Sequence, residues 1–345
     1  MGKLKNKDIA SALNISTAAV SMALNNKPGV SKETRQKVLA YYMQHSEASP
    51  LMDAGAAAKT LIFDIHKNSG DIIIDKPFFT EIMSSIEATA KEHGYLLMVS
   101  HYDPSTDLDE HIAALNAQGA SGLLLLATEM TADALLHYKK LGIPYVLLDG
   151  FIDSIPCDAV TLDNGNAIFR AYEHAFHMGH RNIGYLKCST EIPNFVHRFD
   201  GFLKARRMFE PELCCLKPVV FTLPANLKGS NLGMKKILSD LPEGFTLPGC
   251  FVSDLDFIAI GAMMAFRENG YAVPDDISVI GYDDIEFSAI SSPPLTTIHL
   301  HQRTLARTAV DLLVNKIQNP SPIFRHIQIG SELIVRDSVK RKLPG

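Results

Sequence analysis

The feature that most constrains the fold is a regular alternation of apolar runs with amphipathic helical patterns between residues 60 and 282. The apolar runs include LIFDI (61–65), GLLLLA (122–127), NIGYLK (182–187), LKPVVF (216–221) and ISVIGY (277–282). Further strands are expected near 295–299 and 327–335. Continuous apolar strands that alternate with helices are typical of parallel sheets covered on both faces. The pattern runs once up to about residue 163 and again beyond it. It therefore predicts two doubly wound α/β lobes, whose ligands bind where the carboxyl ends of strands form a crevice.

The first 46 residues have a different pattern, with three short helical segments. Asn6, Ser16 and Ser31 are suited to cap these helices. The segment 47–59 is rich in small residues and contains a proline, which predicts a linker. The domains are thus expected at 1–46, 47–59 and 60–345. The apolar side chains expected to form a miniature core in the first domain are Ile9, Leu13, Val20, Leu24, Val38 and Tyr42.

Charge is distributed unevenly along the chain. Residues 1–45 contain seven Lys or Arg and two acidic residues, a net charge of +5, whereas the whole chain has −5. A basic head on an acidic body favours contact between the head and a polyanion, although a solvated Lys-rich terminus is an alternative. The lack of a long apolar run predicts no membrane span and no secretory signal, hence a cytoplasmic location. Five cysteines, none of them in a C-x-x-C pair, predict reduced thiols.

Together these features resemble the LacI/GalR family of bacterial transcription regulators. The segment KDIASALNISTAAVSMALNNKPGVSKETRQKV (7–38) is similar to the helix-turn-helix headpiece of that family. The resemblance implies an all-α headpiece, two periplasmic-binding-protein-like lobes and a ligand-responsive homodimer that acts as a repressor of a carbohydrate-related operon. Six further motifs follow in the order of the family: PFFTEIMSSIE (77–87), GHRNIGYL (179–186), HRFDGFLKA (197–205), DFIAIGAMMAF (256–266), VPDDISVIGYDD (273–284) and PPLTTIH (293–299).

The resemblance also implies which residues contact a palindromic double-stranded operator. The second helix of such a headpiece lies in the major groove, with its first side chains against base edges. Thr17, Ala18 and Met22 occupy the base-reading positions. Ser16 also qualifies as a helix cap, and both roles are compatible. The residues implied to contact phosphates are Lys5, Ser16, Ser21, Asn25 and Thr34.

A small polar effector, a sugar or a related metabolite, is implied between the lobes. Carboxylates and one guanidinium at strand ends can bind hydroxyl groups bidentately, but local ion pairs or helix caps are the alternative for each of them. Leu255 replaces an asparagine that is common in the family, so the pocket is expected to fit something other than a common hexose. The implied effector-binding residues are Phe78, Phe79, Asp149, Asp163, Arg198, Asp256 and Asp283.

The linker departs most from the family pattern. In the family, a hinge helix follows the headpiece and enters the minor groove of the operator, where an apolar side chain wedges between base steps. By alignment, Glu47 replaces an aromatic residue, Ala54 an arginine and Ala56 the wedging leucine. A poorly formed hinge helix and little operator kinking are therefore expected. The alternative is a hinge displaced by a few residues, with Leu51 or Met52 as the wedge.

Two other classes of protein share this two-lobed architecture. A solute-binding protein of a transporter has the same two lobes but no use for a basic headpiece. A sugar-metabolising enzyme needs a catalytic constellation, and the sequence has no P-loop, G-x-S-x-G or H-E-x-x-H motif. The cluster HAFHMGH (174–180) has metal-like spacing, but Gly179 is expected to end the helix before His180. The pair in HLH (299–301) has no carboxylate or cysteine partner nearby in sequence. We therefore predict no catalytic residue, no cofactor and no metal site.

Overall fold

The structure is a computed structural model that describes residues 6–13, 15–24, 30, 31, 34, 37, 38, 59–68, 77–213 and 215–342. The chain divides into two units, Met1–Ala58 and Lys59–Gly345. All of the predicted linker except Lys59 lies outside the described residues, so the hinge expectation stays a prediction.

The first unit contains two short helices, α1 (Asn6–Leu13) and α2 (Thr17–Leu24). Asn6 is the first residue of α1 rather than a residue before it. Ile9, Val20 and Val38 are buried together, as the sequence predicts, while Tyr42 lies outside the described residues. Partly buried side chains complete this small core, namely Leu13, Ile15 and Val30.

The second unit begins with alternating strands and helices up to residue 162. In chain order these are β1 (Thr60–His66), α3 (Pro77–Glu92), β2 (Leu96–Tyr102), α4 (Leu108–Ala117), β3 (Gly122–Leu126), α5 (Ala132–Tyr138), β4 (Tyr145–Leu148) and β5 (Ala159–Leu162).

The alternation continues through the second lobe and returns to the first. The elements are α6 (Asn164–His177), β6 (Gly184–Cys188), α7 (Pro193–Phe209), β7 (Val220–Leu223), α8 (Leu227–Ser239), β8 (Cys250–Ser253), α9 (Asp256–Glu268), β9 (Ser278–Ile280), α10 (Glu286–Ile290), β10 (Thr297–Leu300), α11 (Gln302–Gln318), β11 (His326–Ile329) and β12 (Ser331–Ile334).

Two parallel sheets form the centres of two lobes. The first has the order β11-β5-β4-β3-β1-β2, and the second has the order β7-β6-β8-β9. Strand β10 pairs with β12 in an antiparallel ribbon, which continues the second sheet through bridges from Ile280 to Thr296 and from Asp283 to His299. Strand β3 is wholly buried, because helices cover both faces of the sheet. The prediction of two doubly wound lobes is confirmed.

The chain crosses between the lobes at three places among the described residues: from β5 to α6, from β10 to α11 and from β11 to β12. Helix α11 packs on α3 and on the first sheet, although it follows the second lobe in sequence. The largest buried apolar cluster contains residues of both lobes, such as Leu124 and Tyr185. The lobes are therefore joined by several chain segments and by a shared core.

Two strands differ from their predicted positions. The predicted strand 216–221 begins instead at Val220, because Pro218 lacks a backbone donor for the sheet. The run predicted as one strand at 327–335 is two strands, β11 and β12, which belong to different sheets. In the part of the chain described, no helix is long and apolar enough to cross a bilayer.

Candidate functional site

The start of α2 is fixed by a side-chain cap. The Ser16 hydroxyl oxygen accepts a hydrogen bond from the backbone N–H of Ala19 at 3.1 Å, which satisfies one of the unpaired donors of the first turn. Thr17, the first residue of α2, is exposed, and Met22 is half-buried. The cap therefore orients a helix whose first side chain is free of the headpiece core.

A second cap precedes Thr34. The Ser31 hydroxyl accepts from the Thr34 backbone N–H at 3.1 Å and lies 2.7 Å from the Thr34 hydroxyl. Ala18 and Ser21 lie on α2 with Thr17 and Met22. Lys5 and Asn25, also predicted to contact DNA, lie outside the described residues.

Ser16→Ala is expected to weaken operator binding through loss of the α2 cap. Removing a serine cap costs about 1 kcal/mol of helix stability. Ser239→Ala is the matched control, since it makes the same substitution at an exposed serine of α8 in the second unit and leaves the headpiece unchanged. Circular dichroism of the full chain with gel-shift titration on one operator measures both effects. A Ser16→Ala protein with wild-type operator affinity contradicts the structural role of this cap.

A small cavity lies between the two lobes of the second unit, with a volume of about 40 Å³. Its apolar lining consists of Phe79, Leu162, Ile192, Phe195, Leu255 and Leu300. Its polar lining consists of Thr128, Asp149, Asn194, Arg198 and Asp283. The structure thus brings together four of the predicted effector-binding residues: Phe79, Asp149, Arg198 and Asp283.

Arg198 is a buried residue of α7 that is held by partners of the second lobe. Its Nε donates to Asn164 Oδ1 at 2.8 Å, and one terminal nitrogen donates to the backbone carbonyl of Asp254 at 2.5 Å. The guanidinium carbon lies 3.5 Å from the centre of the Tyr282 ring, a cation–π contact. The Tyr282 hydroxyl donates to the same Asn164 oxygen at 2.8 Å. The guanidinium is therefore fixed in orientation before any ligand binds.

Asp149 directly follows β4 of the first lobe and faces the second lobe, which contains Arg198. It has a positive φ of 57°, which turns the chain sharply after the strand. Its carboxylate accepts from the Thr128 hydroxyl at 2.8 Å, and the Asn194 side-chain amide donates to the backbone carbonyl of Asp149 at 3.0 Å. The bond to Asn194 joins the two lobes across the cavity. Burial raises the pKa of Asp149 to about 6, although Thr128 and Arg198 oppose the shift.

Asp254 is a polar residue of this region that the sequence reasoning missed. Its carboxylate accepts from the Tyr185 hydroxyl at 2.5 Å and from the backbone N–H of Cys188 at 2.7 Å. Burial raises its pKa to about 6. The available sequence signal was its place at the end of the apolar run GCFVS (249–253), where the carboxyl ends of strands meet.

Asp163 and Asp256 do not line this cavity. The Asp163 carboxylate caps α6 by accepting from the backbone N–H of Asn166 at 3.2 Å. Asp256 is fully buried, and its carboxylate accepts from the hydroxyls of Thr297 and Ser288 and from the backbone N–H of Ile285. Local partners thus use both carboxylates, and an effector-binding role for Asp163 and Asp256 stays a prediction. Phe78 lies on α3 next to Phe79.

Three of the five histidines with metal-like spacing have separate partners. His180 Nε2 lies 2.9 Å from the Lys340 carbonyl, His299 pairs with Asp284, and His301 lies near Glu332. Within the described ranges, no group of three or more His, Cys, Asp or Glu side chains is placed to bind a metal ion.

The fold and the two sites define a class of protein: a helix-turn-helix unit carried on the same chain as a two-lobed ligand-binding unit. Residues 6–46 match the bacterial regulatory proteins of the lacI family, and residues 172–339 match the periplasmic-binding-protein-like domain.

Full-length relatives identify the family. The chain is 30% identical over 354 residues to the HTH-type transcriptional repressor CytR of Escherichia coli (strain K12), covering 98% of this chain and 96% of the relative. It is 31% identical over 350 residues to the repressor PurR of Glaesserella parasuis serovar 5, covering 97% and 98%. The chain therefore belongs to the lacI family of bacterial transcription regulators, as the motifs predict.

Solved structures share the fold. The Lac repressor dimer bound to operator and the anti-inducer ONPF superimposes with a TM-score of 0.72 at 23% identity, covering 98% of this chain and 100% of that chain. The transcriptional regulator CelR in complex with cellobiose superimposes with a TM-score of 0.70 at 20% identity, covering 97% and 100%.

Proposed function

We propose that this protein is a cytoplasmic, non-enzymatic repressor that binds a palindromic operator as a homodimer and responds to a small polar effector between its lobes. The observation that carries the proposal is the buried, pre-oriented Arg198 facing Asp149 across a cavity, on a chain that also carries a capped helix-turn-helix. A guanidinium and carboxylates held in fixed positions are suited to bidentate recognition of hydroxyl groups.

Effector binding is expected to change the relative positions of the lobes. A cavity of about 40 Å³ accommodates on the order of three water molecules. A sugar-sized molecule therefore requires the lobes to separate, which breaks the bond between Asn194 and Asp149. A ligand that binds one arrangement of the lobes better than another shifts their populations, and this supplies the response.

The lining indicates an effector with both an apolar surface and hydroxyl groups. Six of the eleven lining side chains are apolar, among them Leu255, while Asp149, Asp283 and Arg198 supply charged partners. Structures of fold relatives contain cellobiose and ribose. We propose a sugar or a sugar-bearing metabolite whose less polar part lies against Phe79 and Leu255.

Selection of bound genomic fragments is expected to return a palindrome with half-sites about one helical turn apart, because a two-fold dimer presents two α2 helices. Affinity for that site is expected to fall steeply between about 50 and 200 mM salt, since Lys and Arg release phosphate counterions. Recovery of fragments that lack any inverted repeat, or a salt-insensitive affinity, overturns the proposal. A chain without the headpiece, residues 59–345, serves as the control and is expected to select nothing.

A further inference from the structure

A second, larger cleft lies in the same unit, with a volume of about 660 Å³. Both lobes line it: Phe151 and His326 belong to the first, while Asp200 and Lys204 belong to the second. Its volume falls in the range of small-molecule sites, roughly 300–1,000 Å³. We call it the α6–α7 cleft, because these two helices form its second-lobe wall.

One face of α7 supplies most of the polar groups of this wall. His197, Asp200, Lys204 and Arg207 recur at intervals of three or four residues, so they lie on the same side of the helix. Asp200, Lys204 and Arg207 are exposed. Their functional groups are therefore available to a molecule in the cleft.

Asn164 connects the α6–α7 cleft with the effector cavity. It lines the cleft, and its side-chain oxygen accepts from Arg198 Nε and from the Tyr282 hydroxyl, each at 2.8 Å. Asn164 is itself buried, at 2% exposure, so its position is fixed by these bonds. A molecule that contacts Asn164 in the cleft would thus be linked through this one residue to Arg198 of the effector cavity.

The charges of the cleft disfavour a strongly charged ligand. Asp153, Asp163 and Asp200 line it together with Lys204 and Arg207. Burial lowers the pKa of His326, so this imidazole adds no positive charge at neutral pH. A lining with both positive and negative groups disfavours polyanions and polycations alike. Each of these charged side chains can still form a hydrogen bond with a hydroxyl group.

Aromatic side chains also line the α6–α7 cleft. The rings of Phe151 and His326 stack at 4.0 Å between centroids, with 16° between their planes. Phe169 lines the same cleft, and Lys204 Nζ lies 5.7 Å from the centre of its ring. Flat apolar faces beside carboxylates and ammonium groups suit the C–H face and the hydroxyl edge of a sugar ring.

We propose that the α6–α7 cleft is a second ligand site, separate from the effector cavity, for a neutral polyhydroxylated molecule of one or two sugar rings. Because both lobes contribute to it, a bound sugar fixes their relative position. Because Asn164 contacts Arg198, the second ligand also modulates effector binding. This inference goes beyond the repressor function proposed above.

The test is saturation-transfer difference NMR on the full-length protein with ribose, glucose, galactose, maltose, lactose, sucrose and cellobiose as probes. Variants Asp200→Ala and Lys204→Ala alter exposed groups of the cleft, and Asp283→Asn alters the effector cavity. Asp240→Ala is the matched control, an exposed aspartate at the end of α8 that lines neither site. We expect at least one sugar that binds wild type, Asp283→Asn and Asp240→Ala alike but binds Asp200→Ala at least tenfold more weakly.

The proposal is overturned if none of the seven sugars binds, if every bound sugar is lost in Asp283→Asn and retained in Asp200→Ala, or if binding is insensitive to all variants. Operator gel shifts on the same samples separate this result from the repressor function. A protein that shifts operator DNA but fails the sugar test remains a repressor without a second site.

Discussion

Arg198→Ala is expected to weaken effector binding about 30-fold or more, while operator affinity without effector stays within a few-fold of wild type. The side chain is buried, and its guanidinium is the cationic group of the effector cavity among the described residues. Loss of a buried charge-assisted contact costs on the order of 2–5 kcal/mol, and each 1.4 kcal/mol is a factor of ten in affinity. Effector titrations monitored by the change in operator affinity measure the effect.

Two further variants separate recognition from folding. Arg198→Lys keeps the charge but loses the planar fork, so it is expected to recover only part of the response. Arg170→Ala, which removes an exposed arginine of α6, is the matched control and is expected to respond normally. Thermal unfolding verifies that each variant is folded at the assay temperature. A folded Arg198→Ala protein that responds at the wild-type effector concentration shows that Arg198 is not an effector ligand.

Asp149→Asn is expected to gain stability relative to wild type as pH rises from about 4 to 6. Burial raises the pKa of Asp149 from 3.8 to about 6, so the folded protein binds this proton more tightly than the unfolded chain does. Ionisation between these values therefore destabilises wild type, by up to about 3 kcal/mol for a shift of two pKa units. Asparagine cannot ionise, and it tolerates the positive φ at this position.

The difference in unfolding free energy between Asp149→Asn and wild type isolates the titration of Asp149, because the other groups that titrate in this range are present in both proteins. Asp254 acts in the same sense as Asp149, whereas His66 and His180, whose pKa values burial lowers to about 4, make stability rise with pH. Urea unfolding at pH steps from 4 to 7 gives the comparison. Leu148→Val, which changes no titratable group, is the control and is expected to differ from wild type by the same amount at every pH. A pH-independent difference for Asp149→Asn as well contradicts the assignment.

Sequence periodicity was sufficient for most of the fold, because the strands are short buried runs bounded by amphipathic helices. It failed at 327–335, where alternation continues through Gly330 although β11 and β12 pair with different sheets. Strand pairing depends on partners more than 100 residues away, such as Ala159 for His326. No local pattern encodes that choice.

The candidate site was predicted in part for a related reason. Asp149, Arg198 and Asp283 follow strands or lie in family motifs, and they do line one cavity. Asp163 and Asp256 also follow strands, but their carboxylates turn back onto local donors, and the sequence does not reveal a side chain's direction. Asn164 and Asp254 were missed because their contacts with Arg198 form only in the folded chain, although Asp254 directly follows the apolar run GCFVS (249–253).

The strand order of the first sheet has a consequence for biosynthesis. Strand β11 completes the edge of that sheet, and its partner β5 is made about 165 residues earlier. A ribosome adds roughly 5–20 residues per second. The first lobe therefore waits on the order of ten seconds, with β5 unpaired on that side, while the whole second lobe is translated. Contacts this distant in sequence slow folding and leave a sheet edge open to wrong partners. The DNA-reading helices, whose contacts are local, are not subject to this delay.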